Sequence, residues 1–207
     1  MESAENTSGK DELDEGSAQV VFSGRGVMHQ EMPLFTEDFW AIQLWLGDTP
    51  QSRGTASKTQ NFDSQNIPVY RGNDGLIVKV LSGEFRGNQG PVEVPHLTQF
   101  LDIHIPPFGS FTHYIPDGEC AFVYVLEGTG EVLHSEDEPF GSHETILLGS
   151  KGTVSLTGAE EELRIVLCAG TVPEEPLVWE GPMAAGTKEE LDLLYRRIEE
   201  GTFPEGA

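Results

Sequence analysis

The chain has 207 residues, of which 37% are hydrophobic, with 24 glycines and a formal charge of −23 from 35 acidic and 12 basic side chains. That length suits one substantial domain, or one and a fragment, and the glycine-rich, moderately apolar composition suits a turn-rich β protein rather than a disordered one. Arg196-Arg197 is the only adjacent basic pair, so no basic patch offers to neutralise phosphates and direct nucleic-acid contact is not expected; nor does any apolar run reach the roughly eighteen residues of a membrane span, and the polar start is not that of a signal peptide.

Taken in chain order, residues 1 to about 18 are acidic and short of large apolar groups, the signature of a flexible start. Val20-Val21-Phe22 and Ile42-Gln43-Leu44-Trp45-Leu46 read as strands, being rich in β-branched and aromatic residues. The polar run between Gly47 and Asn66 reads as a connector and the domain boundary. From Ile67 onward short apolar strands alternate with Gly, Pro and Asp turns, the pattern of a β-sandwich or barrel. The expected strands are Leu76 to Leu81, Leu101 to Ile105, Ala121 to Leu126, Ile146 to Leu148, Val154 to Leu156 and Leu163 to Cys168. Leu101, Ile103 and Ile105 alternate with Asp102 and His104, so one face of that strand is apolar. At the end, Thr187 and Glu190 have capping-box spacing. Leu191, Leu194, Tyr195 and Ile198 then recur at helical spacing before Gly201, which predicts an amphipathic helix packed on the barrel.

The chemistry concentrates in Gly24-Arg25-Gly26-Val27-Met28-His29-Gln30-Glu31-Met32-Pro33. Side chains two apart on a strand share a face, so His29 and Glu31 project together. An imidazole beside a carboxylate suits Fe, Mn, Ni or Zn. Elsewhere, His113 stands near the place of a cupin-type ligand, with Glu119 and His143 as neighbours of less regular spacing. His96, His104 and His134 are expected on loops or polar faces without partners, and Glu127 at a strand end. No nucleophile elbow, Walker or dinucleotide motif is present. Cys120 and Cys168 match no metal or redox spacing and are expected to be buried, reduced thiols.

The ten-residue run closely resembles the strand in pirins, of the cupin superfamily, that reads GRG-[IV]-[LM]-H-x-E-M-P. The similarity continues through Gly16-Ser17-Ala18-Gln19, the Leu44-Trp45 pair, IVKVLSGEFRG, FLDIHIPPFGSF, AFVYVLEGTGEV and the closing GP-x-x-x-x-T-KEE helix, in pirin order. The resemblance implies a mostly β bicupin with an incomplete first barrel, a complete second barrel and a C-terminal helix. It divides the chain into a flexible acidic start (1–18), a partial N-terminal cupin domain (19–60) and a C-terminal cupin domain with the helix (61–207). It also implies that His29 and Glu31 are the third and fourth metal ligands, and that metal belongs to the first barrel only. Pirins carry two further ligands on an upstream HPHRGFET-type strand, and no His-x-His occurs here. The expectation is therefore either an upstream segment outside this reading frame or a variant with half a site.

Three functions follow from the resemblance. One is a metal-dependent dioxygenase of the quercetinase type, in which iron or another divalent transition metal holds a flavonol-like aromatic substrate and Glu31 is also the proton acceptor. Another is an iron-dependent cofactor of transcription factors, a protein-binding module for which the acidic surface suits a basic partner. The last is a truncated, inactive paralogue or gene-model fragment, with an exposed apolar edge at the incomplete barrel through which it would dimerise. The location expected is cytoplasmic, or nuclear in a eukaryote.

Overall fold

The computed structural model describes residues 1–5, 9–34, 39–47, 49–135, 138–149, 152–173 and 175–203. Two compact units divide the chain: Met1–Ser64 together with Pro173–Ala207, and Gln65–Val172. The N-terminal part of the first unit contains β1 (Glu2–Glu5), β2 (Gly9–Glu12), β3 (Ala18–Phe22), β4 (His29–Met32), a short helix α1 (Pro50–Arg53) and β5 (Lys58–Phe62). β1 lies between β2 and β4 in a three-stranded sheet, and β3 pairs with β5.

Three expectations are corrected here. The acidic start is not featureless: β1 and β2 form a hairpin, with Glu2 opposite Glu12 and Ser3 opposite Asp11. Residues 6–8 of that start lie outside the described residues. Ile42 to Leu46, expected as a strand, carries no strand assignment, because no neighbouring strand among the described residues supplies ladder partners for its backbone. The polar connector instead contains α1, capped by the Thr49 hydroxyl, and β5. β5 is polar in composition, and pairing with β3 rather than apolar burial makes it a strand.

The second unit runs through β6 (Val69–Arg71), β7 (Ile77–Ser82), β8 (Glu84–Phe85), β9 (Asn88–Gln89), β10 (Leu97–Ile105), β11 (Ser110–Ile115), β12 (Cys120–Glu127), β13 (Thr129–Val132), β14 (Phe140–Gly141), β15 (Thr145–Leu147), β16 (Gly152–Gly158) and β17 (Leu163–Gly170). A six-stranded sheet, ordered β15-β12-β17-β10-β7-β6, and a four-stranded sheet, ordered β11-β16-β13-β14, enclose one apolar core. The alternation read along β10 is borne out: Leu101, Ile103 and Ile105 are fully buried. They stand opposite Leu167, Ile165 and Leu163 of β17, so cross-strand pairs fill the interior. On the outer face Arg164 grips Asp102 through two hydrogen bonds, of 3.2 and 3.0 Å. His104 is not unpaired as expected; its Nδ1 lies 3.1 Å from Glu162.

The chain then returns to the first unit as a hairpin, β18 (Val178–Glu180) and β19 (Met183–Ala185), and a helix, α2 (Lys188–Glu199). This differs from the expected division, which placed residues 61–207 in one domain with the helix on its barrel. In the structure α2 packs on its own hairpin. Leu191 is fully buried there, and the Tyr195 hydroxyl donates to the Glu180 carbonyl at 2.6 Å. The Thr187 hydroxyl caps α2 by accepting from the Glu190 backbone at 3.1 Å. Glu190 does not close the reciprocal half of the box. Its carboxylate accepts from the Gly186 backbone at 2.9 Å and pairs with Arg53 at 3.5 Å. The helix ends in a Schellman motif at Gly201, with the Thr202 amide on the Arg197 carbonyl at 2.8 Å.

Candidate metal centre

β4 is placed by the two glycines that precede it. Gly24 has φ +51°, and a Cβ there would stand 2.4 Å from the Thr55 carbonyl oxygen. Gly26 has φ +124°, and its Cβ would fall 2.4 Å from the Phe203 ring. Only glycine meets both demands, backbone shape and lack of bulk. The loop they form is pinned by the Arg25 amide donating to the Thr55 carbonyl at 2.9 Å.

From that loop β4 runs antiparallel to β1, with Glu31 opposite Ser3 and His29 opposite Glu5. His29 Nδ1 and Glu31 Oε1 are 3.8 Å apart, both about one-third exposed. Two donors on one ion, each at about 2.1 Å, are about 3.0–3.4 Å apart, so a small side-chain adjustment brings this pair to bidentate geometry. Directly opposed residues of a ladder share a face, so Ser3, Asp11 and Glu31 lie side by side. Ser3 is buried and donates to Gln19 Oε1 at 3.0 Å. Gln19 donates to Asn61 at 2.9 Å, and Asn61 donates to Asp11 at 2.8 Å. The face that carries His29 and Glu31 is thus polar and hydrogen-bonded across β1, β2, β3 and β5.

This chain does not by itself fit a resident transition metal. Among the described residues no three His, Cys, Asp or Glu side chains converge, whereas such sites ordinarily take three or four protein ligands. Asp11 cannot complete the pair. It stands two strands away from Glu31, about 10 Å at the usual strand spacing.

The other sequence candidates do not assemble. His113 faces inward from β11, 6.0 Å from the Phe111 ring and 5.8 Å from Phe85, and its Nε2 is buried without a hydrogen-bond partner. Burial pushes its pKa below the ordinary histidine value, partly opposed by Glu84. Glu119 is held by the Thr98 hydroxyl at 2.6 Å, and His143 faces the Tyr124 hydroxyl at 3.4 Å. Cys168 is buried as expected, its thiol pushed up to about 12 by desolvation, but Cys120 is exposed. Sequence reasoning missed the Ser3–Gln19–Asn61–Asp11 chain, whose members lie up to 50 residues apart and have no shared motif. It also missed the stacking of Trp45 on Trp179, with centroids 4.7 Å apart and planes at 11°.

The pirin C-terminal cupin domain matches residues 100–204, just over half of the chain. The chain belongs to the pirin family. A pirin-like protein of Solanum lycopersicum is 30% identical over 187 residues, which is 90% of this chain and 64% of that one. Pirin-1 of Arabidopsis thaliana is 32% identical over 190 residues, 90% of this chain and 65% of that one. This pirin chain thus spans less than two thirds of the length of either plant relative. Among solved structures, a quercetin 2,3-dioxygenase from Acinetobacter baumannii superposes with a TM-score of 0.85 at 23% identity, over 98% of this chain and 72% of that one. The fold is accordingly the mostly β, cupin-type architecture of pirins.

Proposed function

We propose that this chain is a pirin-type, metal-dependent dioxygenase acting on flavonol-like substrates, with His29 and Glu31 as its share of the metal centre. The observation that carries the reading is the His29–Glu31 pair itself, 3.8 Å apart on one face of a strand held by two obligatory glycines. The name of the similar Acinetobacter enzyme, a quercetin 2,3-dioxygenase, supports the substrate class. Glu31 has a role that does not pass through the metal. Its exposed carboxylate is the proton acceptor for the acidic hydroxyl of a flavonol, and the deprotonated flavonol is the form that dioxygen oxidises. The test is flavonol consumption and oxygen uptake by the purified chain with Fe, Cu, Ni or Mn added. Turnover that is lost in Glu31→Gln supports the reading; no turnover with any of the four metals overturns it.

A second reading, a protein-binding module, is favoured by a separate observation. Trp40, Trp45 and Trp179 are exposed at 57%, 43% and 60%, and a chain of charge −23 carries them. Exposed aromatics on an acidic surface suit a basic protein partner, a transcription factor being the family expectation. A pull-down with the reduced and the oxidised iron-loaded chain tests it; a partner lost in Trp45→Ala supports the reading, and recovery of none in either state counts against it.

A further inference from the structure

The His29–Glu31 pair lies on an edge. β4 is the last strand of its sheet, and no strand among the described residues pairs with its far side. All four of its residues are exposed. An open edge is a template for another strand, and an antiparallel pairing of β4 with its own copy is closed by a twofold axis.

We propose that a second copy of this chain completes the metal centre, through antiparallel pairing of β4 with β4 about a twofold axis at Gln30. This inference rests on the reading of His29 and Glu31 as metal ligands. In that register Gln30 faces Gln30 of the second copy, and His29 of each copy faces Glu31 of the other. Opposed residues share a face with Cβ atoms about 4.5–5.5 Å apart, and residues two along a strand are about 6.8 Å apart. Two imidazoles and two carboxylates then occupy the corners of one small rectangle, whose centre is within reach of all four side chains. A one-residue register slip would turn one copy's pair to the opposite face, so the ligands themselves select the register. The donor set suits Zn²⁺, Fe²⁺ or Mn²⁺, and its two carboxylates balance the charge of a divalent ion.

The charge balance gives the association its dependence on metal. Two chains of −23 each repel one another, and the paired Glu31 carboxylates concentrate that repulsion at the edge. A divalent cation removes the local part, and salt screens the rest. Without metal the edge stays open; with metal the half-sites join.

The experiment is sedimentation velocity of the intact chain, stripped of metal and then titrated with Zn²⁺, or with Fe²⁺ under anaerobic conditions, alongside metal analysis of each species. The expected result is a shift from 22.7 kDa to twice that mass, saturating at one ion per two chains. His29→Ala and Glu31→Ala should each abolish both the shift and the bound metal. Gln30→Lys keeps both ligands but opposes two cations at the axis, and it should lose dimer and metal together; circular dichroism confirms that each variant is folded. One ion per chain at monomer mass, lost in His29→Ala, would overturn the shared site while leaving the ligand assignment standing. Absence of any bound metal would overturn both. A dimer that forms without metal and survives His29→Ala would place the interface elsewhere and overturn the proposal.

Discussion

Gly24 and Thr55 meet backbone to backbone: a Cβ on Gly24 would stand 2.4 Å from the Thr55 carbonyl oxygen, which already accepts the Arg25 amide at 2.9 Å. The approach fixes the loop from which β4 departs, and with it the direction in which His29 and Glu31 project. Gly24→Ala must overcome both the left-handed backbone, at about 1–3 kcal/mol, and the clash with a carbonyl that cannot rotate away. Urea denaturation should show a loss above that strain figure; a loss under about 0.5 kcal/mol, typical of an indifferent surface site, would show that the loop yields freely.

Gly26 offers a companion test, because its obstacle is a side chain. Its Cβ would meet the Phe203 ring at 2.4 Å. A double-mutant cycle with Phe203→Ala separates the two contributions. Phe203→Ala should recover part of the stability lost in Gly26→Ala, since the clash disappears and the φ of +124° remains. Simple additivity of the two losses would mean that the ring is not what excludes a Cβ.

Leu167 and Leu147 look alike in the sequence, each in an apolar strand, yet one is fully buried and the other is 82% exposed. Leu167→Ala should cost about 2–5 kcal/mol, the range for a buried leucine whose cavity only partly collapses. Leu147→Ala should stay within about 0.5 kcal/mol. Equal losses in thermal or chemical denaturation would contradict the placement of β15 at the sheet edge.

His113 makes stability depend on pH. Burial holds its pKa in the folded chain below the ordinary 6.5, so the unfolded chain binds the proton more readily. Its contribution is complete above about pH 6.5 and declines as pH falls toward the folded-state value. Compared with His113→Phe, the natural chain should therefore lose stability on acidification from pH 7.5 to below 6. A difference between the two proteins that stays flat across that range would contradict the burial of the ring.

The two thiols should separate chemically. The buried Cys168 thiol, pushed up to about 12, stays protonated near neutrality, while Cys120 is exposed. A thiol reagent at pH 8 should label one cysteine in the folded chain and both in urea, and Cys120→Ser should remove the folded-state reaction. Rapid labelling of both in the folded chain would contradict the burial.

Much of this architecture is written in local order. The alternation along β10, the capping residues of α2, the glycine stop at 201 and the His-x-Glu spacing all act within a few residues, where side-chain period and backbone geometry follow from neighbours in the chain. The pirin resemblance was legible for the same reason, as a series of short motifs in a particular order. Tertiary structure decided what depends on distant partners. Residues 2–5 became a strand because β2 and β4 supply ladders on both sides, and Ile42 to Leu46 did not because none is supplied. The α2 helix joined the first unit because its hairpin buries Leu191. The polar face beside His29 and Glu31 exists only once Gln19 and Asn61, 42 residues apart, are brought into hydrogen bond. A backbone or side-chain group must find its partner wherever the fold places one, and that distance along the chain leaves no mark in the local sequence.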